Sequence, residues 1–160
     1  QDFRLKTVRL IRPLPHLKTT NYVVNMMAKA EARELDYHDG LFINNDNNVT
    51  EGTAWNIFFV KEKKLYTPST EGGLLSGITR KAIFKLCQDS EIDLIDKNIA
   101  VDTLKEYDAA FITNASQGPH AVKRIDTVEY DIHNDLCEKI KTDYRKFPLA
   151  KLDEVIVKSF

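Results

Sequence analysis

The chain has 160 residues, 42% of them apolar, enough for one domain with a hydrophobic core. Its 23 basic and 24 acidic residues leave a formal net charge of -1, and no basic patch with interleaved aromatics marks a nucleic-acid surface. No apolar stretch approaches the roughly 20 residues of a membrane span, the start Gln1-Asp2-Phe3-Arg4 lacks a signal-peptide pattern, and Cys87 and Cys137 read as buried thiols of a reducing compartment, so a cytoplasmic protein is expected.

Residues 3–12 alternate through Phe3, Leu5, Val8 and Leu10 and read as a strand that Pro13 and Pro15 stop. Thr19-Thr20 then offers an N-cap for a helix to about Leu35, whose apolar positions Val23, Met26, Met27 and Ala30 follow the helical period. The polar run Asn44-Asn45-Asp46-Asn47-Asn48 predicts a turn between strands at 41–43 and 49–50. A second hairpin joins 55–61 to 65–67 through Glu62-Lys63-Lys64. A glycine-containing loop leads into a helix over 78–88, followed by a strand at 92–95 and a short helix over 101–106. The apolar run 109–113 suits a buried strand. A turn at 114–118 and a strand at 121–125 come next, and a final helix from about Asn134 to Arg145 precedes Pro148. Without repeats, low-complexity linkers or an internal boundary, the pattern predicts one mixed α and β domain over 1–160, with hairpins in place of a regular βαβ alternation.

Three segments carry groups that a fold could bring together: Lys18, Glu51 and Gly77-Ile78-Thr79-Arg80. Each has an ordinary reading when taken alone. A lysine before a helix is usually solvated, Glu51 before Gly52 is an unremarkable turn carboxylate, and GxT at a helix start is common. Together they supply an amine for an aldehyde, a carboxylate for a ring nitrogen and a helix N-terminus for a phosphate, the three ends of pyridoxal phosphate. For that role Lys18 needs partial desolvation or a neighbouring cation, and Leu17, Tyr22 and the strand from Val8 to Ile11 are the available wall. Arg80 stands in a first turn, where the helix dipole disfavours cations, and reads as salt-bridged. Asn56 reads as serving the backbone of the Glu51 turn. His16, His38, His120 and His133 lack metal-ligand spacing, so no metal is assigned, and His120 reads as a rim residue. Trp55 and the Met26-Met27 pair read as core or subunit-interface residues.

The succession Leu17-Lys18-Thr19-Thr20-Asn21-Tyr22, Ala32-Arg33, Asp39-Gly40, Val49-Thr50-Glu51-Gly52-Thr53-Ala54-Trp55-Asn56-Ile57-Phe58, Tyr66-Thr67-Pro68 and Leu75-Ser76-Gly77-Ile78-Thr79-Arg80 resembles the class IV, or fold type IV, pyridoxal-phosphate enzymes. That family includes branched-chain aminotransferase, D-amino-acid aminotransferase and aminodeoxychorismate lyase. The resemblance is close from Leu17 to Leu86 and continues through Phe111 to Asp126. It implies the large cofactor-binding domain of that fold. By the same resemblance, Lys18 binds the cofactor aldehyde and shuttles the proton between Cα and C4′, and Tyr22 bonds the phenolate oxygen. Glu51 partners the pyridine nitrogen, Leu75 packs on the ring face, and Ile78 and Thr79 hold the phosphate. The turn Thr113-Asn114-Ala115-Ser116-Gln117-Gly118 is implied to touch the phosphate and the substrate carboxylate, with Ala115 and Ser116 at the substrate and Ser116 as hydroxyl donor.

The activity implied first is amino transfer between an amino acid, branched-chain ones included, and a 2-oxo acid, in a homodimer. Three departures qualify it. The Asn114-Ala115 pair is closer to aminodeoxychorismate lyases, which make 4-aminobenzoate and pyruvate; Asp36 stands where a glycine is usual; and Ser76 replaces a frequent proline or lysine. The family also carries a preceding domain of about a hundred residues, which supplies an arginine to the phosphate and much of the substrate pocket, whereas Lys18 lies near the start here. The expectations are therefore a fragment, a domain supplied from elsewhere, or a non-catalytic domain that retains the fold.

Overall fold

Four successive buried residues, Ile57, Phe58, Phe59 and Val60, require a strand covered on both faces, and the fold is built around that strand. The structure, a computed structural model, describes residues 3–148. Gln1, Asp2 and residues 149–160, to which the 1–160 domain expectation extends, lie outside the described residues. In chain order the described residues form β1 (Phe3–Val8), α1 (Val23–Glu34), β2 (Asp39–Ile43), β3 (Asn48–Gly52), β4 (Asn56–Lys61), β5 (Lys64–Thr67), α2 (Ile78–Asp89), β6 (Leu94–Asp96), β7 (Ile99–Ala100), β8 (Ala109–Asn114), β9 (Gly118–Ile125), β10 (Val128–Glu129) and α3 (Asp135–Arg145). Short 3-10 helices lie at Thr70–Gly72 and Val101–Glu106.

The strands make one sheet in the order β6-β5-β4-β8-β9-β1-β2-β3-β7, with β10 beside β9. β1 runs parallel to both β2 and β9, and β5 runs parallel to β6; the other pairings are antiparallel. β3 and β4, adjacent in sequence but far apart in the sheet, meet again because the sheet curls, and Gly52 N–H donates to the Trp55 carbonyl at 2.8 Å. Strand alternation then sorts the side chains. Leu5, Leu41, Ile57, Phe59, Ile112 and Val122 fill the inside of the curl. Phe58, Val60 and Phe111 face the other way, against Ile83 and Leu86 of α2 and Ile140 of α3. Phe58 and Phe111 stack with centroids 4.9 Å apart. This is the mixed α and β architecture expected, and each large apolar side chain so buried contributes about 1.5–3 kcal/mol.

The first helix departs from expectation in two ways. Thr19-Thr20 does not cap it; Tyr22 occupies the N-cap and no side chain caps the helix. The predicted apolar face of Val23, Met26, Met27 and Ala30 is exposed, while Ala28 and Ala32 are buried with Asn25. The reason is close approach to β2. A side chain at Gly40 would sit 3.1 Å from the Ala28 carbonyl, so the helix buries its smallest residues and turns the larger ones out. At the C-terminus Asp36 takes φ 61°, while Asp36 N–H reaches the Arg33 carbonyl and Tyr37 N–H the Ala32 carbonyl. This Schellman arrangement explains why a glycine suits position 36. The two-residue strands β7 and β10 were absent from the sequence reading, being too short to show a period.

Candidate active site

The seam where β3 and β4 meet floors a cavity of about 330 Å³. Glu51, at the end of β3, has only 5% of its side chain exposed. Its Oε1 accepts from Arg12 Nη2 and, at 2.8 Å, from the Leu75 amide, and its Oε2 accepts from Asn56 Nδ2 at 3.2 Å. Burial pushes the Glu51 carboxyl up to about 7, against the opposing pull of the Arg12 guanidinium and the Leu75 amide. Arg12 is itself 14% exposed and lies over the Phe42 ring at 5.2 Å, held in place from two sides. Asn56 ties the seam to the next loop, donating also to the Leu75 carbonyl at 2.9 Å.

That loop delivers the start of α2. Gly77 is the N-cap and no side chain caps it. The first intrahelical bond runs from Lys81 N–H to the Gly77 carbonyl at 3.0 Å, which leaves the amides of Ile78, Thr79 and Arg80 without helical acceptors. A Cβ on Gly77 would overlap Asn56 Oδ1, so only glycine lets the helix end approach the seam this closely. The hydroxyls of Thr79 and Thr113 are buried and have no hydrogen-bond partner among the described residues. Both threonines line the cavity. Free amides, a helix dipole and two unsatisfied hydroxyls give this end of the cavity the chemistry that suits an oxyanion. The Arg80 side chain is engaged elsewhere: it pairs with Asp96 at 2.8 Å, donates to the Pro68 carbonyl at 3.1 Å and lies over Phe84, the salt-bridged role read from the sequence.

The opposite wall is less enclosed. Lys18 lines the cavity from the irregular segment between β1 and α1 and is exposed. The apolar wall expected from Val8 to Ile11 does not form: Val8 packs beneath α1 with Ala28, and Ile11 points outward. Tyr22 donates to the Thr53 carbonyl at 2.5 Å, as does Asn25 Nδ2 at 2.5 Å. Burial first and the Asp39 carboxylate second raise the Tyr22 phenol above its ordinary value, keeping it a donor. Asp39, 1% exposed, accepts from Thr53 Oγ1 at 2.6 Å, Trp55 Nε1 at 3.0 Å and the Gly40 amide at 2.7 Å, and so holds the Thr53–Trp55 loop that Tyr22 leans on.

The structure thus brings Lys18, Tyr22, Glu51, Leu75, Ile78, Thr79 and Ala115 to one cavity. Ser116 is not among its lining residues; the Ser116 hydroxyl bonds Asn114 Oδ1 at 3.1 Å, and that same oxygen accepts from the Ser116 and Gln117 amides to shape the turn. Trp55 is buried in the core, whereas Met26 and Met27 are exposed. Arg12 and Asp39 were not read from the sequence as site residues, and Thr113 was read only as the first residue of the turn at 113–118, with the hydroxyl role given to Ser116. Each looks ordinary in its local context, and only the cumulative acidic and polar positions at buried strand ends, Asp39 and Thr113, could have signalled them. No group of three or more His, Cys, Asp and Glu side chains among the described residues could hold a metal, and no helix among them is long and apolar enough to cross a membrane.

Residues 4–125 match the family described as amino-transferase class IV. The chain is 32% identical over 142 residues to D-alanine aminotransferase of Bacillus licheniformis, covering 88% of this chain and 50% of that protein. It is 32% identical over 114 residues to aminodeoxychorismate lyase of Bacillus subtilis, covering 71% and 39%. Among solved structures it superimposes on the branched-chain aminotransferase of Thermoproteus uzoniensis, determined with norvaline, with TM-score 0.84 and 30% identity over 91% of this chain and 51% of that one. The chain spans about half the length of the curated relatives it matches. The enzymes of this class depend on pyridoxal phosphate, and the fold here is theirs, fold type IV. With that cavity at its seam and that match over most of its length, the chain belongs to the class IV aminotransferase family.

Proposed function

We propose that this chain is the cofactor-binding half of a pyridoxal-phosphate-dependent aminotransferase that moves an amino group between an amino acid and a 2-oxo acid. Branched-chain amino acids are the first substrates to test. The observation that carries the reading is a single cavity holding an amine, a buried carboxylate and an oxyanion site with two unsatisfied hydroxyls. When bound, pyridoxal phosphate supplies an electron sink for the pair released at the substrate Cα. Glu51, with Arg12 beside it, holds the proton of the ring nitrogen. Leu75 covers a ring face, the Ile78 and Thr79 amides take the phosphate, and Tyr22 is assigned the phenolate oxygen. Lys18 Nζ would hold the cofactor at its aldehyde and, as the general acid and base of the site, would carry the proton between Cα and C4′. Ala115, with Ser116 beside it, is assigned to the substrate carboxylate.

A homodimer accompanies this reading. Ile11, Leu14, Leu17, Val23, Met26 and Met27 are large, exposed and drawn from one stretch of chain beside the cavity, a grouping that suits burial against another surface. The buried thiols Cys87 and Cys137 accord with a cytoplasmic setting. A second reading, the lyase that forms 4-aminobenzoate and pyruvate, is favoured by the Asn114-Ala115 pair, both of which line the cavity at the end of β8. Pyruvate release without a 2-oxo acid acceptor distinguishes it from amino transfer, which needs the acceptor.

The first test is the visible spectrum of the purified chain with added pyridoxal phosphate, beside Lys18→Ala. A new band that borohydride fixes in the wild type, absent in the variant, supports the cofactor and the lysine together. No band in either protein moves catalysis to a longer parent and favours a non-catalytic domain.

A further inference from the structure

Thr113 closes the buried run of β8, is 1% exposed, and has an unpartnered Oγ1. It lies opposite Asn56 in the β4–β8 register. Period-two alternation puts it on the face of Phe111, toward α2, and away from the inside of the curl. Asn56 is the residue that Gly77 must be a glycine to approach, so Thr113 is one strand away from the N-terminus of α2. Thr113, Thr79, Gly77 and Ile78 all line the same cavity. Native folds rarely leave a buried hydroxyl unpaired, and two of them beside free helix amides point to a ligand that pairs them.

The turn after β8 offers no competing hydroxyl to the cavity. Ala115 lacks a hydroxyl, and Ser116 Oγ is bonded to Asn114 and stands outside the lining. We propose that Thr113 Oγ1 donates a hydrogen bond to the phosphate of the bound cofactor, supplying from the end of a buried strand the hydroxyl that the following turn does not present. The proposal rests on the pyridoxal-phosphate reading above and assigns its phosphate contact to a strand residue.

The experiment compares pyridoxal phosphate with pyridoxal, which lacks the phosphate, by absorbance titration of the full chain. Thr113→Val keeps shape and removes the hydroxyl; Thr113→Ser restores it. A hydrogen bond to a charged group makes the expected loss for Thr113→Val about tenfold in pyridoxal phosphate affinity, with pyridoxal affinity unchanged and Thr113→Ser close to wild type. Without ligand, Thr113→Val should melt at or above the wild-type temperature, because it removes an unsatisfied buried group. Equal weakening toward both compounds, no weakening at all, or a phosphate-specific loss in Ser116→Ala in place of Thr113→Val overturns the assignment. A second arm measures the rise in melting temperature with inorganic phosphate, which Thr113→Val should abolish. If the wild type binds inorganic phosphate through Thr113 but never pyridoxal phosphate, the cofactor reading fails and the oxyanion contact stands. If phosphate raises the melting temperature of wild type and Thr113→Val alike, or of neither, the contact itself fails.

Discussion

The two walls of the cavity are built differently. On the β3–β4–α2 side, Glu51, Asn56 and the Leu75–Gly77 loop are buried and cross-bonded, and their hydrogen bonds join segments far apart in sequence. On the β1–α1 side, Lys18 sits in an irregular segment and its apolar neighbours Ile11, Leu14 and Leu17 face outward. The Glu51 and α2 ends of the cavity are therefore braced by hydrogen bonds within this chain, while the Lys18 end carries exposed apolar surface. Rigid polar groups set in a packed wall are what a cofactor needs for orientation. The exposed wall is suited to docking.

Changes at Glu51 should break the buried wall most. Glu51→Ala strands the Arg12 guanidinium in a site of low polarity and should cost about 3 kcal/mol in urea unfolding at pH 8. The same residue gives the chain a pH signature. Its folded pKa, about 7, lies above the ordinary 4.5, so the folded state holds the proton more tightly than the unfolded one. Stability from this group is full below about 4.5, declines as pH rises toward 7 and is level above it. Melting curves across that window should show the decline in wild type and lose it in Glu51→Gln.

Asp39→Ala removes an acceptor shared by Thr53, Trp55 and Gly40, takes that acceptor from three buried donors, and should cost about 2 kcal/mol, with a change in Trp55 fluorescence. Gly77→Ala should cost about 1 kcal/mol by forcing Asn56 aside, and should weaken pyridoxal phosphate binding more than it lowers the melting temperature. Met26→Ser, on the outward face of α1 at 65% exposure, should change stability by less than about 0.5 kcal/mol. If the outward face docks, the same change should weaken self-association in sedimentation. A large stability loss from Met26→Ser, or a negligible one from Glu51→Ala, would erase the contrast between the walls.

Much of the fold was legible because it is written locally. The five-residue Asn44–Asn48 turn, the buried run of β8 and the start of α3 near Asn134 each declare themselves within a few residues; in the structure Asn44 bonds the amides of its turn and Asn134 caps the helix. The family's motifs, spaced along the chain, also named residues that line one cavity, Ser116 excepted. The outward turn of α1 was not legible, since Met26 and Met27 carry the same period as a core face, and only the close approach of Gly40 to Ala28 decides which face is buried.

The sequence by itself determined which chemical groups are present, their order, and the elements that carry them, because propensity, period and turn chemistry act over a few residues. Tertiary structure alone decided that Arg12 pairs with Glu51 thirty-nine positions away, that Asp39 braces the loop under Tyr22, and that Thr113 faces the cavity while Ser116 turns aside. Those partnerships depend on the curl that returns β3 to β4, and a curl is a property of the whole sheet that no local pattern encodes.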